Sequence, residues 1–275
     1  MSLSLGVIGL GRMAQAVLEP LLEDAFFNPH DVLGIVGSSN SVGDILNNFS
    51  AEIRVVSAQD SLAEEVWSAP IKLLAVKPQQ LHLIKEKQCA LASSNAGQKP
   101  LLVSILAGVK LSKLQTLFPS HCCVRAVPNT PSLVRAGLTG LSWGQGVSQK
   151  QRSLVETIFK PIGEVLDLPE DHLDAFLALT SSGPAYVALI AEALADGAVA
   201  AGLPRSLANY LAVGTLAGSA KLLKEKDLHP GELKDMVASP GGTTIAALRH
   251  VEMAGFRSAL IEAVVLAAQR SREIG

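Results

Sequence analysis

Apolar and polar positions follow one rhythm in the first part of the chain and another in the rest. From Leu3 to about Leu168, short apolar runs alternate with longer amphipathic stretches, as strands of a parallel sheet joined by crossover helices require. The predicted strands are Leu5–Ile8, Val32–Val36, Ile71–Val76, Leu101–Ile105, Cys123–Ala126 and Gly140–Trp143. Beyond Leu168 the β-branched runs stop. Long Ala/Leu-rich stretches replace them, broken at Ser181–Pro184, Gly202–Pro204, His229–Gly231, Ser239–Gly242 and Gly255. Gly202 suits the position just past a helix end, and Pro230 the first turn of a new helix. The pattern predicts an α/β domain over residues 1–168 and an all-helical domain over residues 169–275, joined directly.

The first strand leads into the most informative motif. Gly9-Leu-Gly11-Arg-Met-Ala14 follows Leu5–Ile8 and precedes the helical pattern Ala16, Val17, Leu18, Leu21 and Leu22. G-x-G-x-x-A between a strand and a helix is the dinucleotide fingerprint of a Rossmann domain. In that reading Gly9 makes the tight turn, Gly11 lets the backbone approach a pyrophosphate, and Ala14 keeps the helix close to the strand. Ile8, Gly9, Leu10, Gly11, Arg12 and Met13 are the predicted pyrophosphate loop. The alternative is a glycine-rich turn with no ligand, which the placement on the first of two successive strands disfavours.

The second strand ends in Gly37-Ser38-Ser39-Asn40, where an NAD-selective site carries an acidic residue for the ribose. The neutral donors Ser38 and Ser39 favour NADPH. Arg12 and Arg54 are the nearby arginines, and dual use of NADH is left open. Ala75-Val76-Lys77-Pro78, Ala107-Gly108 and Pro128-Asn129-Thr-Pro131 follow later strands, which puts Ala75, Val76, Lys77, Pro78, Ala107 and Asn129 on the ligand-binding rim of the sheet. Taken singly, Lys77 reads as a solvated lysine and the Pro-Asn-Thr-Pro loop as a rigid turn.

Composition narrows the class. The 275 residues carry a formal net charge of −2, 48% are hydrophobic and only 17% charged, against about 25% in an average domain. No basic field attracts a phosphate backbone, so a nucleic-acid partner is not expected, and disorder is excluded. Cys89, Cys122 and Cys123 form neither a disulfide framework nor a CxxC, which fits a reducing cytoplasm. No Lys/Arg-rich region precedes Leu3–Leu10, so no signal peptide is expected. Ala185–Ala201, with Glu192 and Asp196, is short and acidic for a membrane span, and no membrane partner is expected. His30, His82, His121, His172, His229 and His250 lack metal-ligand spacing, so no metal is predicted.

The charge deficit is local. Between Ala175 and Ala220 only Glu192, Asp196 and Arg205 are charged. Helices over Ala185–Ala201 and Leu207–Leu223 are apolar around most of their circumference, which a small helical domain cannot bury alone. An obligate homodimer is the expected consequence.

Four stretches together resemble the pyrroline-5-carboxylate reductase family along essentially the whole chain. They are Gly9–Ala14, Ala75–Pro78, Asn129–Pro131, and the helical-domain pair Ser182-Gly-Pro-Ala-Tyr186 and His229-Pro-Gly-x-Leu-Lys-Asp-x-Val-x-Ser-Pro-Gly-Gly-x-Thr244. The first three also occur in other nicotinamide-dependent proteins; the last is specific to this family. The resemblance implies reduction of the cyclic imine Δ1-pyrroline-5-carboxylate to L-proline by NADPH or NADH. It also implies a Rossmann domain followed by an all-α dimerisation domain, with further assembly of the dimers left open.

Such a reaction needs no metal or nucleophile; the ring must be oriented, its carboxylate held and a hydrogen-bonding group placed by its nitrogen. Ser239, Gly242, Thr243 and Thr244 form a glycine-rich turn into a helix, suited to a carboxylate. The resemblance places the Thr244 hydroxyl near the ring nitrogen, making it the catalytic candidate, and Glu170 near the substrate. Read by itself, Ser239–Thr244 is more often an ordinary loop and N-cap, and Glu170 more often a dipole partner at a helix start. Two positions depart from some relatives: Leu177 replaces a threonine and Met236 a polar residue. A β-hydroxyacid dehydrogenase-like enzyme would need a helical lysine as base, and Lys221 and Lys224 look like a solvated helix end. A non-catalytic dinucleotide sensor is the alternative from another class.

Overall fold

The computed structural model describes residues 3–49, 52–88 and 99–274, so Cys89 lies outside the described residues. Eight strands form one sheet: β1 (Leu5–Ile8), β2 (Val32–Val36), β3 (Arg54–Ser57), β4 (Ile71–Leu74), β5 (Leu101–Ser104), β6 (Cys122–Val127), β7 (Gly137–Trp143) and β8 (Gly163–Asp167). Their order is β3-β2-β1-β4-β5-β6-β7-β8. The chain leaves β1 toward β2 on one side, and β4 flanks β1 on the other, so the order reverses at β1. In an open α/β sheet that reversal opens a crevice at the carboxyl ends of the strands.

Register sharpens this edge. Ile8 pairs with Ile35 and with Leu74, Leu74 with Ser104, and Ser104 with Arg125, so the strands end together on one rim. The first backbone groups beyond the strands stay tied: Gly9 N–H donates to Ile35 O at 2.9 Å and Ala75 N–H to Ile8 O at 2.8 Å.

One strand departs from the all-parallel expectation. β7 runs antiparallel to β6, while β8 returns to parallel pairing with β7. A parallel connection needs a crossover of a dozen or more residues. Residues 128–136 offer only a 3₁₀ turn at Thr130–Val134, so the chain folds straight back.

Alternate residues of each strand feed two cores. Leu5, Val7, Leu73, Val103, Val124 and Ala126 face one, with α1 (Arg12–Glu23) supplying Val17, Leu18 and Leu21. Ile8, Leu33, Leu74, Leu102 and Cys123 face the other. α2 (Ser39–Asn48), α3 (Leu81–Gln88), α4 (Leu111–Leu117) and α5 (Gln149–Phe159) complete this part. Cys122 and Cys123 thus enter opposite cores as free thiols, and burial pushes the Cys123 thiol up to about 12.

Lys72 on β4 is the exception within a buried strand. It is 1% exposed, and desolvation lowers its ammonium to about 8. His121, also buried, falls to about 4, first by desolvation and then by the nearby Lys72 and Lys99 charges. A lysine whose folded pKa lies below its unfolded 10.5 costs stability below pH 8, and the cost fades as pH rises to 10.5. Lys72→Met should therefore stabilise the protein by about 2–3 kcal/mol at pH 7. Urea unfolding would measure this, and the gain must shrink between pH 8 and 10.5; a pH-independent gain would assign it to packing instead. His121 acts in the opposite window, withdrawing stability as pH falls from 6.5 toward 4.

After β8 the chain is helical: α6 (Leu173–Thr180), α7 (Gly183–Ala200), α8 (Arg205–Lys226), α9 (Pro230–Val237), α10 (Thr243–Met253) and α11 (Phe256–Ile274). Every break falls at one of the five Gly/Pro/Ser clusters seen in the sequence. Two compact units result, one of Met1–Ser181 with Ala267–Gly275 and one of Ser182–Leu266. α6 and the end of α11 thus group with the sheet, although composition turns helical at Leu168.

In the second unit Ala195 of α7 packs with Ala208 and Ala212 of α8, and these three are the only fully buried residues of the two helices. Leu189, Leu194, Leu207, Tyr210, Leu211 and Val213 stay exposed. By length and composition, Glu170–Ala200 is apolar enough to cross a membrane. Here it is two helices, α6 and α7, broken at Ser181–Ser182.

Candidate active site

The loop after β1 has the two glycines in different physical situations. Gly9 has φ +96°, and a Cβ there would lie 2.8 Å from the carbonyl carbon and oxygen of Ala75, so the fold itself demands glycine. Gly11 has an ordinary φ of −73°, and a Cβ there would meet nothing within 4 Å. The protein's own packing gives no reason for glycine at Gly11; an approaching ligand does. Gly11 is also the N-cap of α1 and offers no side-chain cap, so the first N–H groups of the helix point at open space. An anion fits that cradle.

The other predicted cofactor residues follow the ends of β2, β4, β5 and β6, and of these Ala75 and Val76 lie against Gly9. Ile8 and Leu10 are buried, which leaves them backbone roles, while Arg12 is exposed and Met13 half-buried. Ser38 caps α2: its Oγ accepts from Ser41 N–H at 3.4 Å and lies 2.9 Å from Ser41 Oγ. Ser38 and Ser39 are exposed. Arg54 forms an ion pair with Glu65 at 2.8 Å, which leaves Arg12 as the exposed cation of the loop. Ala75 and Val76 follow β4; Lys77 is exposed, with its N–H bound to Gln80 Oε1 at 3.3 Å, and Pro78 begins a 3₁₀ turn. Ala107 follows β5 beside Gly108, whose φ is +73°.

Asn129 is 4% exposed and its side chain works in the scaffold. Its Nδ2 donates to Thr180 O at 2.9 Å, and its Oδ1 accepts from Leu138 N–H at 2.8 Å. Its backbone carbonyl accepts Ser132 N–H at 3.1 Å. Glu170 is likewise engaged: Leu111 N–H donates to its Oε1 at 2.5 Å, and Arg125 Nη1 lies 3.5 Å away.

That arginine centres a network which sequence reasoning missed. Arg125 sits wholly buried on β6 and donates to Asp174 Oδ1 at 3.0 Å, and Asp174 also accepts from Ser271 Oγ at 2.8 Å. The partners stand 49 and 97 residues apart in sequence, so no local motif announces them. A charged residue inside an otherwise apolar strand, Val124-Arg125-Ala126, was the available signal.

Apart from Glu170, which belongs to the first unit, the substrate candidates lie in the second. Gly241 has φ +69°, and Gly242 N–H donates to Ser239 O at 3.0 Å, closing a turn. A Cβ on Gly242 would collide with Ser239 Oγ. Gly242 is the N-cap of α10, again with no side-chain cap. Thr243 and Thr244 therefore do not satisfy the helix end, and its N–H groups stay available; Thr243 is exposed and Thr244 half-buried. His229 is a cap: its Nδ1 accepts from Gly231 N–H at 3.1 Å, and Glu232 accepts from His229 N–H at 2.8 Å. Tyr186 OH reaches Ala263 O at 3.3 Å, tying α7 to α11. Leu177 is half-buried and Met236 is exposed, so neither supplies a polar contact. Lys221 lies on the exposed end of α8, 3.7 Å from Glu225.

Known proteins resemble both parts. Residues 170–274 match the family model described as pyrroline-5-carboxylate reductase dimerisation, and residues 4–108 the one described as NADP oxidoreductase coenzyme F420-dependent. A pyrroline-5-carboxylate reductase of Synechocystis is 45% identical, covering 100% of this chain and 99% of the relative. One from Escherichia coli is 36% identical, over 100% and 99%. Among solved structures, a pyrroline carboxylate reductase of Plasmodium falciparum with NADP bound has a TM-score of 0.85 at 28% identity, covering 99% and 98%. One from Coxiella burnetii has a TM-score of 0.83 at 31% identity, covering 100% and 99%. A Rossmann sheet joined to a helical dimerisation region, with likeness over the full length of its relatives, decides the matter: the chain belongs to the pyrroline-5-carboxylate reductase family.

Proposed function

We infer that the chain, as a homodimer, reduces the C=N bond of Δ1-pyrroline-5-carboxylate to give L-proline, the last step of proline synthesis. The carrying observation is that each unit presents one uncapped helix N-terminus behind a glycine N-cap, Gly11 before α1 and Gly242 before α10. One suits a pyrophosphate and the other a carboxylate.

Bound NAD(P)H supplies the hydride. Ile8, Gly9, Leu10, Gly11, Arg12 and Met13 hold its pyrophosphate through backbone N–H groups. Ser38 and Ser39 take the adenosine ribose; their neutral hydroxyls and the exposed Arg12 favour a 2′-phosphate, hence NADPH over NADH. Ala75, Val76, Lys77, Pro78, Ala107 and the backbone of Asn129 line the rim toward the nicotinamide.

Ser239, Gly242, Thr243 and Thr244 hold the substrate. The backbone N–H groups at the start of α10 bind its carboxylate, and the Thr244 hydroxyl hydrogen-bonds at the ring nitrogen, which stays protonated so that the adjacent carbon accepts hydride. The dimer is obligate because α7 and α8 bury so little of their own surface. The free thiols and modest charge suit the cytoplasm.

Loss of NADPH absorbance on adding the imine tests the activity. Thr244→Ala should lower kcat about tenfold, the scale of one lost hydrogen bond, while NADPH affinity stays unchanged. Parental kinetics in that variant would remove Thr244 from the site.

A further inference from the structure

Glu170 stands in the short turn Glu170–His172 that precedes α6. Its Oε1 accepts the N–H of Leu111, the first residue of α4, across 59 residues of sequence. That amide has no acceptor within its own helix, and a carboxylate there also meets the positive end of the helix. The segment just before Leu111 is the rim turn after β5, with Ala107 and Gly108. Ile105 N–H still bonds Leu74 O at 2.9 Å, so the turn is anchored to the sheet at its start and to Glu170 at its end.

The anchor is itself held. Arg125 lies 3.5 Å from the same Oε1 and is locked by Asp174 on its other nitrogen. The Glu170 side chain is 30% exposed and its contact with Arg125 is longer than a hydrogen bond. A half-wet pair of this kind contributes little to stability; its consequence is where the carboxylate points.

We propose that Glu170, oriented by Arg125, is a positioning residue that fixes the Ala107–Gly108 turn of the cofactor rim through Leu111, without touching cofactor or substrate. The proposal rests on the reading of that rim as the nucleotide site. It gives Glu170 a different task from the substrate contact that family resemblance suggests.

Glu170→Ala and Glu170→Gln in the full-length dimer separate the two. NADPH dissociation constants are read by fluorescence without imine, alongside KM for each substrate and thermal unfolding. The alanine variant should raise the NADPH Kd and KM about tenfold, with the imine KM and kcat at saturating NADPH within about twofold and the melting temperature nearly unchanged. The glutamine variant retains an acceptor for Leu111 N–H and should recover most of the affinity. An unchanged NADPH Kd in folded Glu170→Ala overturns the proposal. So does a raised imine KM at unchanged NADPH Kd, which would put the carboxylate against the substrate. Failure of the reductase reading shows separately, as a parent protein that binds NADPH and does not oxidise it when imine is added.

Discussion

Gly11→Ala should fold as stably as the parent and lose NADPH affinity by about a hundredfold, the scale on which a displacement of one ångström acts at a site. The added methyl meets nothing within 4 Å in the protein and demands no unusual backbone angle. It fills only the space over the start of α1. Gly9→Ala makes the contrasting case. Its φ of +96° is unfavourable for any side chain, and its Cβ would press on the Ala75 carbonyl at 2.8 Å. The two penalties together should cost about 2–4 kcal/mol of stability. Urea unfolding and NADPH fluorescence on the same two variants decide the matter. If Gly11→Ala binds nucleotide like the parent, the cofactor does not pass over this loop.

The second large effect belongs to Arg125. Arg125→Met leaves Asp174, 6% exposed, as a buried carboxylate whose remaining partner is the Ser271 hydroxyl. Removing one member of a buried pair typically costs about 3–5 kcal/mol. The double variant Arg125→Met with Asp174→Leu should regain most of that loss, because no fully buried charge is then left unpaired, and Glu170, 30% exposed, keeps solvent and the Leu111 N–H. Equal destabilisation by the single and double changes would mean that the network acts through shape and not through charge.

What was legible in the sequence follows a physical rule. The six predicted strands are buried and announce themselves as apolar runs. The two that were missed, β3 and β8, are the two edges of the sheet. Arg54–Ser57 and Gly163–Asp167 are partly exposed along most of their length, so they carry no continuous apolar run to read. Helix boundaries in the second part were legible because Gly and Pro act locally on the backbone.

The site divides in the same way. Gly9–Ala14 and Ser239–Thr244 are contiguous, and their meaning lies in spacing. Asn129 was read as a rim residue, yet only the fold shows that its amide joins Thr180 and Leu138. Arg125, Asp174 and Ser271 meet through tertiary folding alone, and no spacing rule joins residues so far apart.

The sparse burial within α7 and α8 has a consequence for how the protein comes into being. A single chain emerging from synthesis can complete its sheet by itself, since that core is closed within the first unit. On the proposed reading of an obligate homodimer, the second unit completes its burial only against another copy, and its maturation is then a bimolecular event governed by mass action. Slow synthesis would therefore lengthen the interval in which Leu189, Tyr210 and Val213 face water, and abundance itself becomes a determinant of how much of the chain reaches its working form.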